Sequence, residues 1–220
     1  MCWSAQADLV AGAAVTAAGV ACVARARDRR DVPLAALPVL LGAHQLVEAA
    51  VWHAGGGRGP ATLLWTVIAL PLLALWVPAA VMCAAPRHAR RRLAVPLAAG
   101  AATATLLTWG LSTRPVTAEI RGHTVGYAID VPYAQAAIAG YLLATIGSLL
   151  LAGDRRLVLL GVLLGVGALI CWALWRLEFV STWCAVAALC SVVLYGWTRR
   201  ADDGRGSGPR RTDAPAHAGR

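Results

Sequence analysis

The chain contains no lysine; all 20 of its basic residues are arginine. That absence excludes retinal binding and any other chemistry that needs a lysine Schiff base. Charge is sparse, at 14% of the residues, against about 25% in a soluble domain. The six cysteines show no CxxC and no paired spacing, so neither a zinc site nor a disulfide framework is indicated. The histidines form no HxxxH pair, and no internal repeat emerges. The opening Met1-Cys2-Trp3-Ser4 has no basic run, which argues against a cleaved signal peptide. The first apolar segment is therefore expected to remain in the protein.

What the chain has in excess is apolar surface: 59% of it is hydrophobic and its mean hydropathy is +0.63. An all-α integral membrane protein is the economical reading. The net charge of +9 does not indicate a nucleic-acid partner, because the arginines lie between apolar segments and in the tail. Seven segments are long enough to span: roughly Ala5–Val23, Pro33–His53, Ala61–Ala85, Leu93–Leu111, Tyr133–Ala152, Leu157–Trp175 and Leu177–Trp197. About 20 apolar residues cross ~30 Å of hydrocarbon as a helix. Trp172, Trp175 and Arg176 mark the tight boundary between the last two. The expected architecture is a seven-helix transmembrane domain over residues 1–197 and a disordered, Arg-rich cytoplasmic tail over 198–220.

Arginine placement gives the orientation. Alternate loops hold Arg25, Arg27, Arg29 and Arg30, then Arg87 and Arg90 to Arg92, then Arg155 and Arg156, and the tail holds six more. The other side has only Arg58, Arg114, Arg121 and Arg176. Cytoplasmic loops carry the arginine excess, so the N-terminus is expected outside and the C-terminus inside a cell (plasma) membrane. The cytoplasmic arginine clusters suit anionic lipid headgroups as partners. The long outer loop, 112–132, has β-rich stretches on either side of Arg121-Gly122-His123, which predicts a short hairpin. Pro71 and Pro78 should kink the third helix and free the carbonyls of Val67 and Ala74. Gly161 and Gly165, and the Ala14, Ala18 and Cys22 face of the first helix, suit close packing in lipid.

The polar residues inside this apolar frame are the functional signal. Gln45, Glu48 and Trp52 share a helix face, and His44 lies one turn before Glu48. A charged group at mid-helix costs roughly 2.5–3.5 kcal/mol on insertion scales, so it is rarely there without a partner or a task. Ser4 and Asp8, Glu178 and Ser181, Trp183 and Cys184, and the loop residues Glu119, His123 and Tyr127 fall at the same outer level. Together they predict a polar pocket opening outward under the fourth loop. Each has a plainer reading: Glu48 as interhelical glue, Glu178 as a helix-start acid, and Asp8 and His123 as solvated groups.

These residues resemble a family of uncharacterised prokaryotic multi-pass membrane proteins, a domain of unknown function. Its members open Met-Cys-Phe-Ser-Ala, here Met1-Cys2-Trp3-Ser4-Ala5, and carry Gln-x-x-Glu-x-x-x-Trp, here Gln45, Glu48 and Trp52. Trp76-Val77-Pro78, Glu119-Ile120-Arg121-Gly122-His123 with Tyr127, and Trp183-Cys184 match further motifs over roughly residues 1–197. Many members have two adjacent histidines after the glycine; here His123 is followed by Thr124. The resemblance implies which residues to test and carries no activity with it.

The expectation is a non-enzymatic protein binding or sensing a small solute or lipid, with no cofactor, catalytic residue or metal set assigned and a homo-oligomer compatible with the pattern. The alternatives are an intramembrane metal-dependent lipid hydrolase, a structural or assembly subunit, a transporter, and thiol chemistry at Cys2, Cys171 and Cys184. Reporter fusions at the two ends should report opposite sides of the membrane; both termini on one side would contradict the seven-span topology.

Overall fold

A computed structural model describes residues 4–26, 28–131, 133–174 and 179–198. The described residues form an all-α bundle of seven helices with one β-hairpin between the fourth and fifth. The elements are α1 (Ala5–Arg25), α2 (Val32–His53), α3 (Pro60–Ala84), α4 (Arg87–Thr113), β1 (Thr117–Arg121), β2 (Thr124–Ala128), α5 (Ala134–Leu150), α6 (Arg155–Leu174) and α7 (Phe179–Thr198). Six of the helices are long and apolar enough to cross a membrane, and α5 is the shorter exception. At ~1.5 Å per residue α5 reaches only about 26 Å, a little short of ~30 Å of hydrocarbon. Glu178, the boundary residues Trp175 and Arg176, and residues 199–220 lie outside the described residues.

Helix starts follow their local chemistry. Ser4 caps α1, its Oγ accepting the Ala7 N–H at 3.2 Å. Pro60 opens α3 after Gly59, where a missing N–H costs nothing. Asp154 caps α6 by accepting the N–H groups of Arg156 and Leu157. α2 is interrupted at Ala36, one turn after Pro33 and just before Pro38.

α1 packs along α2 through glycines. A Cβ on Gly42 would lie 2.3 Å from Thr16 Oγ1 and 2.8 Å from the Gly12 carbonyl oxygen. The buried face of α1 is Asp8, Gly12, Val15, Gly19 and Cys22, so the packing stripe is set by glycine. Of the expected alanine face, only Cys22 is buried; Ala14 is exposed. Backbones that approach this closely gain dispersion contacts that lipid cannot supply. In α6, Gly161 sits tightly on α5, whereas a Cβ on Gly165 would meet Ile146 at an ordinary 3.8 Å.

Both prolines of α3 lie within its helical run. Pro71 lies in a π-helical segment, Ile68–Leu72. The carbonyl that takes a cross-helix bond there is Ala69's, which accepts the Tyr141 hydroxyl at 2.6 Å. At the second proline, Gly100 of α4 packs directly on the Ala74 carbonyl and the Pro78 ring. Among the described residues, Cys22, Cys83, Cys171, Cys184 and Cys190 form no disulfide.

The hairpin is the one sheet among the described residues, antiparallel, with Arg121 opposite Thr124 across Gly122-His123. Gly122 has φ +61°, the conformation a two-residue turn needs at its first central position. The hairpin is tied to the α2–α3 loop by a reciprocal backbone pair between Gly57 and Ala118, at 2.7 and 3.1 Å. Arg58 Nε adds a bond to Thr117 Oγ1 at 3.1 Å.

Gly42→Ala should cost about 1–3 kcal/mol through overpacking, and Gly165→Ala should cost almost nothing. At about 2–4 °C per kcal/mol for a chain of this size, thermal unfolding in detergent resolves the two. Equal melting temperatures would contradict the packing described for α1 and α2.

Candidate functional site

Polar side chains converge at the hairpin end of the bundle. Asp8 stands in the first turn of α1, and His44, Gln45 and Glu48 occupy two turns of α2. Their exposures are 0, 0, 1 and 0% in that order. This depth follows from the close α1–α2 contact, which brings the Asp8 turn against the end of α2. Ser181, in the first turn of α7, is also buried.

Hydrogen bonds tie the two acids to other helices. The Trp52 indole N–H donates to Asp8 Oδ2 at 2.9 Å, joining α2 to α1. The Ser181 hydroxyl donates to Glu48 Oε1, joining α7 to α2. The Asp8 carboxyl and the Trp65 indole are further polar neighbours of Glu48. Gln45 Nε2 lies 3.5 Å from His44 Nδ1. Asp8 Oδ1, His44 Nε2 and Gln45 Oε1 have no hydrogen-bond partner among the described residues, and neither does the Trp65 indole nitrogen beside them. An unsatisfied buried polar group costs about 1–3 kcal/mol, so several in one cluster call for something that satisfies them.

An aromatic stack closes the cluster. His44 lies 4.7 Å from Trp65, and Trp65 stacks on Tyr127 of β2 with ring centroids 3.6 Å apart and planes 4° from parallel. Strand alternation explains the orientation. Ala118 pairs with Tyr127 and Ile120 with Val125, so these four share the inward face of the hairpin. Ala118 and Val125 are buried with Val51, Trp65, Ala69 and Cys184 in a small core beneath the hairpin. The fourth loop thus covers the polar groups as expected, but they are sealed and do not line an open vestibule.

The expected site residues separate into groups. Asp8, His44, Gln45, Glu48 and Trp52 come together, with Tyr127 reaching them through Trp65. Asp8 is fully buried, which excludes its reading as a solvated interfacial acid. Glu119 is on the outward face of β1, where its carboxylate accepts from Arg121 at 2.6 Å, away from the cluster. The same alternation that turns Tyr127 inward turns Glu119 outward. His123 is at the exposed hairpin turn. Ser4 serves as the cap of α1. Trp183 and Cys184, adjacent in sequence, diverge: Cys184 joins the core under the hairpin, while Trp183 bonds the Leu164 carbonyl at 3.1 Å and packs on Tyr141 and Phe179. Glu178 falls outside the described residues. Trp65 is the member that sequence reasoning missed. It sits in an unbroken apolar run, and only its pairing with a hairpin aromatic reveals it.

An all-α bundle of apolar, membrane-length helices with sealed acids at one end is the class of protein that this fold and site define. Residues 1–208 match a family model described as a family of unknown function, DUF6629, and the chain belongs to that family. No curated protein and no solved structure matches it.

Trp52→Phe removes the donor to Asp8 and leaves both carboxyl oxygens without a hydrogen bond, at a cost of about 1–3 kcal/mol. Trp109→Phe, at a half-exposed indole on α4, is the control. A melting temperature lowered only by Trp52→Phe is expected, and equal effects would contradict the role given to the Trp52–Asp8 bond.

Proposed function

We propose that this chain is a multi-pass protein of the cell membrane, N-terminus outside and C-terminus in the cytoplasm, whose buried cluster binds a small solute or a lipid. Six membrane-length helices support the membrane reading. The orientation rests on the arginines, which concentrate in the loops opposite the hairpin end. On that reading the cluster faces the outer leaflet, and the hairpin is its extracytoplasmic cover.

The observation that carries the binding role is the set of unpaired atoms. Asp8 Oδ1, Gln45 Oε1 and His44 Nε2 offer two oxygens and an imidazole nitrogen in a fully buried setting. Intramembrane ionisable groups mark ligand or ion sites by default, because their burial is otherwise expensive. Access requires the hairpin to move, and among the described residues its backbone tie to the rest of the bundle is the Gly57–Ala118 pair at the α2–α3 loop. A structural role draws on a different observation: the Trp52–Asp8 and Ser181–Glu48 bonds hold α1, α2 and α7 in register. The metal-hydrolase alternative has less support, since no three His, Cys, Asp or Glu side chains among the described residues converge as a ligand set.

The test compares wild-type protein with Glu48→Gln and Glu48→Ala, and with Asp28→Ala and Asp154→Ala as controls, each purified in native nanodiscs. Mass spectrometry of small molecules and lipids released on denaturation should show a species near one per chain in the wild type. It should be depleted in both Glu48 variants and kept in the two controls. Identical profiles in all five preparations, with only the melting temperature altered, would establish the structural role instead.

A further inference from the structure

We infer that a second pocket, separate from the polar cluster, holds an acyl chain of a bilayer lipid. It lies beneath β2 and the segment after it, between α3, α4, α5 and α7, with a volume of about 350 Å³. Ligand sites typically measure about 300–1,000 Å³. Its walls include Leu70, Leu107, Ile138 and Phe179, and its inner end is formed by Tyr141 and Trp183. Ile138 is 52% exposed on the flank of the bundle, whereas Tyr141 and Trp183 are buried, so the pocket runs from the surface inward. The rings of Tyr141 and Trp183 meet edge to face at 5.7 Å and also line an apolar hollow of about 40 Å³ in the bundle core.

The chemistry of the walls selects the occupant. No charged side chain among the described residues lines the pocket, and the Tyr141 hydroxyl is already committed to the Ala69 carbonyl. A polar metabolite would have to give up water with little in return, at a cost of several kcal/mol. A hydrocarbon chain has nothing to lose and gains contact with four aromatic rings, those of Tyr127, Tyr141, Phe179 and Trp183. The mouth lies on the flank beside the first turns of α5, where Ala134 and the exposed Ile138 line the pocket. A guanidinium stands at the rim: Ile129 and Val131 line the pocket, while Asp130 between them pairs with Arg114 at 2.7 Å. The rim therefore carries an ion pair, polar against an apolar interior.

The inference shares the membrane placement proposed above and does not depend on the polar cluster. It is tested on the full chain in nanodiscs doped with a phosphatidylglycerol that carries a diazirine in the middle of one acyl chain. After illumination, peptides containing Tyr127, Tyr141 and Trp183 should be labelled. The labelling should fall roughly tenfold, the factor given by about 1.4 kcal/mol, in Ile138→Trp, which narrows the mouth at an exposed position. Ala137→Phe, which fills the interior, is the second variant. Leu163 and Leu169 on the outer face of α6 should be labelled equally in every form. Glu48→Gln should leave the pocket labelling intact, which separates failure here from failure of the polar site. Pocket labelling no stronger than at α6, or unchanged in both pocket variants, would overturn the inference. Absence of label at α6 as well would overturn it together with the membrane reading.

Discussion

Everything at the hairpin end depends on burying two carboxyls, Asp8 and Glu48, in an apolar bundle. Apolar neighbours cannot satisfy them, so polar groups on other helices do. Trp52 and Ser181 supply one hydrogen bond to each acid, and each bond crosses between helices. The glycine contact between α1 and α2 makes the first possible, because only close backbones bring Asp8 under Trp52. The hairpin completes the enclosure by placing Tyr127 on Trp65. A bundle held only by apolar contacts would need none of this.

The rest of the fold supports that arrangement in a graded way. α2 is the most buried of the long helices and α1 the least, which fits a central helix carrying the polar face and a peripheral one delivering a single acid. The prolines of α3 sit at contacts with other helices: Pro71 in a π segment whose Ala69 carbonyl accepts from Tyr141, and Pro78 against the glycine of α4. Trp183 lines the apolar pocket and Cys184 joins the core under the hairpin, so one dipeptide at the start of α7 serves both.

Much of this was legible in the chain. The helices, the hairpin around Gly122 and the shared face of Gln45, Glu48 and Trp52 follow from periodicity and hydropathy. The burial of Asp8 did not follow, because a first-turn acid looks the same whether it caps a helix in water or is covered by a neighbour. The outward position of Glu119 was within reach of strand alternation, given Ala118 and Ile120 on either side of it, but grouping polar residues by level alone overrode that pattern. Trp65 carries no local signal, since its partners His44 and Tyr127 are distant in sequence. The same limit applies to the closed state of the site: level along the membrane can be read from helix position, but enclosure depends on which rings stack.

The most direct measurement is a high-resolution cryo-electron microscopy map of the full chain in native nanodiscs, read at the Asp8–His44–Gln45–Glu48 cluster. Non-protein density within hydrogen-bonding distance of Asp8 Oδ1, His44 Nε2 and Gln45 Oε1 is the predicted result. A map in which these atoms pair with one another or with protein groups, and no further density remains, would contradict a binding role and leave the cluster as the lock that holds the helices together.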